Sequence, residues 1–146
     1  MKVRTSIAAA GAAAVLAGTG ALMLPAVASA HSTTHTLKFT ATSLGQAIFS
    51  KTAGGTAEKD VNSTGKTIGF DVIHIHFNPK TQQRSGGVTL DTKGGFLYGT
   101  LKFTNGSPVI TGTVTGGTGT FQGATGTITA KPLSKTRTAV TVSYTS

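Results

Sequence analysis

Apolar and polar residues alternate through most of the chain beyond Ala30, in short runs separated by Gly, Asn and Pro, and no run repeats with the period of a helix. A period of two places alternate side chains on opposite faces of a strand. Thr36–Ser43 sets Leu37, Phe39 and Ala41 against Thr36, Lys38, Thr40 and Thr42. In Thr67–Phe77, the strongest strand, Ile73, Ile75 and Phe77 share one face and His74 and His76 the other. A weaker strand is expected over Gln46–Thr52, followed by a loop from Gly54-Gly55 to Gly65. Gly87–Thr92, Gly95–Phe103, Pro108–Gly116, Gly126–Lys131 and Arg137–Tyr144 complete the set, with hairpin signals at Lys93-Gly94-Gly95 and Asn105-Gly106. About eight antiparallel strands joined by short turns predict an all-β domain, either an up-and-down barrel or a sandwich.

The first thirty residues depart from this pattern. Lys2 and Arg4 precede an uncharged stretch from Ile7 to Leu24, then Pro25 and the tail Ala28-Ser29-Ala30. Charge, apolar segment and an A-x-A site in that order predict a signal peptide over residues 1–30, cleavage before His31, and a single β domain over 31–146. The competing reading is an uncleaved anchor, because the stretch is near the minimum that spans a bilayer. Its Ala and Gly content and the adjacent cleavage site favour removal. The expectation is therefore a secreted, extracellular protein with no stable membrane insertion after cleavage.

Composition narrows the picture in two ways. The chain has no cysteine, so an exported domain of this size must be held by packing and backbone pairing alone, and a closed sheet leaves no edge unpaired. Losing Lys2 and Arg4 from the formal charge of +9 leaves about +7, a surplus that suits an anionic cell-surface polymer. The basic residues are scattered without interleaved aromatics, and there is no Trp, so nucleic acid is not an expected partner.

The most distinctive segment is Val114-Thr115-Gly116-Gly117-Thr118-Gly119-Thr120-Phe121-Gln122-Gly123-Ala124-Thr125-Gly126-Thr127-Ile128. Its pattern of a strand, a Gly-rich turn with Phe and Ala, and another strand resembles the barrel superfamily of allene oxide cyclases and dirigent proteins. Two further stretches share the likeness, Asp60 to Asp71 and Gly94-Gly95-Phe96-Leu97-Tyr98-Gly99-Thr100-Leu101, so that it spans roughly Asp60 to Tyr144. The resemblance implies an eight-stranded antiparallel barrel with an apolar cavity, no cofactor, and assembly as a homotrimer. It does not carry either family reaction across. Thr36–Ser43 lacks the Glu expected of a cyclase, the cavity Cys is missing, and Thr125 stands where dirigent proteins usually place Arg.

Candidate chemistry is sparse. Asp71 shares the parity of Ile73, Ile75 and Phe77, which puts it on the inner face if they point inward; a carboxyl beside an apolar cavity is a candidate acid or base, with Tyr98 as its expected helper. The plainer reading has Asp71 capping a turn or pairing with a lysine. Glu58, Asp60 and Asp91 fall in or near expected loops and are read as solvated. Phe39, Ile73, Ile75, Phe77, Phe96 and Phe121 are the expected pocket lining. His74 and His76 have a spacing compatible with one metal ion, and His31, if it becomes the N-terminus, would add an amino group and imidazole suited to copper; exposed, uninvolved histidines are the alternative.

The reading that follows is a secreted barrel that binds a small hydrophobic or aromatic molecule and steers its cyclisation or coupling by shape. A non-enzymatic, wall-associated binding module and a copper protein using His31 are the competing readings. The interior separates the first two: a core filled by its phenylalanines and isoleucines leaves no room for a ligand.

Overall fold

The computed structural model describes residues 32–146; the expected signal peptide and His31 lie outside them. Eight strands, β1 (Thr34–Ser50), β2 (Ala53–Val61), β3 (Thr67–Asn78), β4 (Gln83–Thr92), β5 (Gly95–Phe103), β6 (Ile110–Gly117), β7 (Thr125–Pro132) and β8 (Arg137–Thr145), follow one another around a closed antiparallel barrel. Each strand pairs with its neighbours in sequence, and β1 closes the ring on β8 from Thr34↔Thr145 to Thr42↔Arg137. The alternation seen in the sequence is the inside and outside of this wall. Phe39, Ala41, Leu90, Leu97, Leu101, Val114, Ile128 and Val142 are buried within it.

The first hairpin differs from the sequence expectation. Thr36–Ser43 and Gln46–Thr52 are not two strands but parts of β1, which continues through an irregularity between Ser43 and Gly45. The stretch expected to be a loop contains β2, paired with β1 and with β3. The reason is chemical. The inward positions of β2 are Thr56, Glu58 and Asp60, so the alternation is present but lacks the apolar residues that normally reveal it.

The two ends of the barrel are built differently. At one end the Gly-rich connection from β6 to β7 makes a short 3₁₀ turn at Gly119–Phe121, with Gly119 in the left-handed region at φ 60°. Its backbone is tied to the β4–β5 hairpin by Thr118 N–H to Phe96 O at 2.8 Å and Thr120 N–H to Gly94 O at 2.9 Å. These bonds press Phe121 into the barrel end, edge-on to Tyr144 at 5.4 Å between ring centroids; Tyr144 in turn stacks on His35 at 5.2 Å. Ala124, fully buried, completes the plug. The β1–β2, β3–β4, β5–β6 and β7–β8 turns surround the opposite end, and there the second half of β1, beyond the last β8 pair at Thr42, overhangs the rim.

Phe121 is the buried aromatic that the Gly-rich turn presses into the plug, so Phe121→Ala is expected to lower stability by roughly 3–5 kcal/mol in urea denaturation. Ile48→Thr, at a rim position 88% exposed, is expected to change it by no more than about 0.5 kcal/mol.

Candidate acid-floored ligand site

The barrel interior holds a cavity of ≈ 250 Å³. Its walls are apolar, drawn from Phe39, Ile73, Ile75, Leu90, Leu101 and Ile128 among others, and its few polar side chains gather at two levels. Gln46, Thr138, Ser134 and Lys135 lie towards the open end, while Glu58 and Asp71 lie deeper, towards the plug.

The deep level is a cluster of carboxyls placed by strand register. Glu58 on β2 lies directly across from Asp71 on β3, and Asp60, two residues further along β2, projects to the same side. Asp60 is flanked across the sheet by Ala41 and Gly69, whose small size leaves it space, and it is completely buried. Asp71, 4% exposed, lies beside Leu90 on β4. No donor within the barrel reaches either oxygen of Asp60 or Oδ1 of Asp71. Ionised, the two carboxylates repel each other and have nothing to satisfy them, so both are held above the usual carboxylate range. Burial, reinforced by the charge of Glu58, pushes Asp60 up to about 7. Burial, then the charges of Asp60 and Glu58, pushes Asp71 up to about 8, and burial alone raises Glu58. The cluster is therefore pushed towards keeping protons near neutral pH, and Asp71 is the member of the buried pair that lines the cavity.

The predicted site residues divide by face. Phe39, Ile73 and Ile75 line the cavity with Asp71. Phe77 lies at the rim of the open end, with Arg84 over its ring at 5.8 Å. Phe121 belongs to the plug and does not line the cavity. Phe96 and Tyr98 correct the expectation: both face outward, 42% and 37% exposed, and stack on each other at 6.4 Å. The strand parity that buries Leu97 and Gly99 turns their neighbours to solvent, so Tyr98 is separated from Asp71 by the barrel wall and cannot act with it. His74 and His76 face outward too, and His74 meets the edge of Phe49 at 5.2 Å. Among the described residues, no three or more His, Cys, Asp or Glu side chains, the carboxyl cluster included, are arranged so that they could hold a metal ion, and the copper reading rests on His31, outside them.

Glu58 and Asp60 are the site residues that sequence reasoning misassigned to solvent. The signal that identifies them is the alternation of Thr56, Glu58 and Asp60 with Ala57, Lys59 and Val61, followed by a turn in which Asn62 Oδ1 accepts from the backbone of Thr64 and Lys66. A second depression, of ≈ 390 Å³, lies outside the wall between Leu44, Phe49, Gly55, Val72 and His74. It contains no carboxyl, and nothing in it could move a proton except His74.

The closed up-and-down barrel of eight strands has a dirigent-like barrel fold, as its likeness to solved structures shows. Among solved structures the chain is similar to a pyocyanin demethylase, with a TM-score of 0.65 and 16% identity over 75% of this chain and 99% of that one. It is also similar to a pterocarpan synthase dirigent protein, with a TM-score of 0.63 and 16% identity over 88% of this chain and 98% of that one. These likenesses establish the fold. No protein-family model matches the sequence, and no curated protein matches it.

The raised acids make stability depend on pH with a definite sign. Between about 4, where these carboxyls ionise in the unfolded chain, and about 8, the folded chain holds protons that the unfolded chain has released. Stability is full below that interval and falls as pH rises through it. The melting temperature is expected to drop between pH 5 and pH 8, and Asp71→Asn, which keeps the shape and removes the ionisation, should flatten the decline. An unchanged slope in that variant would remove Asp71 from the account.

Proposed function

We propose that this protein binds a small hydrophobic or aromatic molecule inside the barrel and steers its conversion by confinement, with Asp71 as the group that donates or relays a proton. The observation that carries the reading is a buried carboxyl, Asp71, with no donor to its Oδ1, at the floor of an otherwise apolar cavity, where burial favours its protonated form. Such a site excludes water, fixes the orientation of a flat or branched guest, and offers one O–H donor to an oxygen or nitrogen at its inner end. Asp60 and Glu58, within the same cluster, supply the proton that Asp71 gives up and take it back afterwards. Cyclisation and coupling fit this arrangement because both depend on holding one conformer. The two barrels of like fold, one named as a demethylase of pyocyanin and the other as a pterocarpan synthase, lend the reading support as proteins that do chemistry within this architecture. Secretion, expected from the N-terminal segment, would place that chemistry outside the cell.

The test is occupancy of the interior. Binding of a naphthalene guest can be followed by titration calorimetry, a readout that a Trp introduced into the cavity does not disturb. Methyl 2-naphthoate is expected to bind the protein beginning at His31, and Ile73→Trp, which fills the cavity from its wall, should abolish binding while the variant still melts cooperatively. Equal binding by the filled barrel would place the guest elsewhere and defeat the proposal.

A further inference from the structure

Positive charge is concentrated at the open end of the barrel: seven of the eleven Lys and Arg among residues 32–146 lie there, against Lys38, Lys59, Lys66 and Lys93 in the half nearer the plug. Lys51, Lys80, Lys135 and Arg137 lie in or beside the turns of the open end, and Arg84, Lys102 and Lys131 occupy strand positions within two residues of it. All seven are exposed. The four acidic residues of the chain, Glu58, Asp60, Asp71 and Asp91, lie in the halves of their strands nearer the plug. The sequence conceals this arrangement, because the meander returns to the open end after every second strand and so gathers cations that are far apart in the chain.

One of these cations belongs to the cavity itself. Lys135 lines it from the β7–β8 turn, beside Ser134 and Thr138. The turn is held in place: Leu133 N–H donates to Arg137 O at 2.8 Å, Ser134 N–H to the same oxygen at 3.1 Å, and Ser43 N–H on β1 to Thr136 O at 2.9 Å. The backbone that carries Lys135 is thus fixed at the rim while its ammonium remains in water, where a surface charge retains its reach without a desolvation penalty. Below it the walls are apolar down to the carboxyl floor. A guest in such a channel meets a positive rim, a dry middle and a neutral hydrogen-bond donor at the bottom.

Building on the ligand-binding reading above, we infer that the physiological guest is an amphipathic anion, a small aromatic or branched apolar body bearing one carboxylate, sulfonate or phenolate, that enters body first and leaves its charge at the rim on Lys135. The ring of cations attracts such a molecule from solution and orients it before entry, since like-signed charge around a low-dielectric opening focuses the field there. Lys135 supplies the close contact, and the remaining cations supply the long-range pull. The cavity volume, equal to about eight waters of bulk liquid, suits one or two rings and excludes a long acyl chain.

A matched pair of guests tests this. Sodium 2-naphthoate and methyl 2-naphthoate have nearly the same body and differ in charge. The anion is expected to bind about tenfold more tightly at low salt, and to lose that advantage as ionic strength rises to about 0.5 M. Lys135→Gln should weaken the anion about tenfold and leave the ester within about twofold, and Lys135→Arg should restore the anion. Equal affinity for the two guests, both lost in Ile73→Trp, would overturn the anion inference and leave the cavity reading intact. Failure of both to bind the native protein would overturn the two together. Anion binding that survives Ile73→Trp would place it on the outer surface and overturn the inference. So would binding of phosphatidylglycerol vesicles without uptake of 2-naphthoate, which would assign the basic end to a polyanionic surface.

Discussion

The fold depends on how β1 divides its hydrogen bonds. Its first half pairs with β8 and its second half with β2, and only Thr40 to Thr42 are paired on both sides. This stagger converts a meander of adjacent hairpins into a closed ring, and it is the one pairing that must bring together the two ends of the sequence. The loop entropy of that contact opposes folding until the hairpins between are formed. In return every strand of the barrel has a neighbour on each side along part of its length, which matters for a chain with no cysteine to staple it. The same stagger carries the end of β1 past β8, so the opening of the cavity and the closure of the sheet have one cause.

The interior then divides into a part that is filled and a part that is not. Phe121, Tyr144 and Ala124 fill the plug, whereas small residues at Ala41 and Gly69 leave Asp60 space beside Asp71. Buried carboxyls without donors are destabilising unless they keep their protons. Stability and chemistry pull in the same direction here only at neutral or lower pH. Above that range the ionised cluster weakens the barrel that holds it, and the acid role proposed for Asp71 would be lost with the proton. A structural role alone would be served better by apolar residues at these positions.

Much of the barrel is legible in the sequence because every strand except β2 carries apolar residues on the inner face with period two. Gly95–Phe103 is a clear case, with Leu97, Leu101 and Phe103 inward. Asp71 is legible for the same reason, sharing parity with Ile73 and Ile75. Glu58 and Asp60 are not, since acids in a Gly- and Thr-rich stretch have the composition of a solvated loop, and only the pairing of β2 with both neighbours reveals them as inner residues. Tyr98 fails differently. Its distance from Asp71 along the strands is right, but it stands one residue out of phase with Leu97, and a single step in a strand changes the face. Hydrophobicity does not resolve such a step when Phe96 and Tyr98 outside are as apolar as Leu97 and Leu101 inside.

The pairing of Thr34 with Thr145 has a bearing on how this barrel can be attached to anything. Both ends of the described chain emerge side by side at the plugged pole, on the far side of the molecule from the rim. A tether, tag or additional module joined at either terminus would therefore hold the barrel by its base, with the opening directed away. The adjacency also means that a short linker could join the termini and a new start be cut in the β2–β3 turn, giving a circular permutant that retains every strand pairing. For immobilisation or display, the molecule comes with its handle and its mouth at opposite poles.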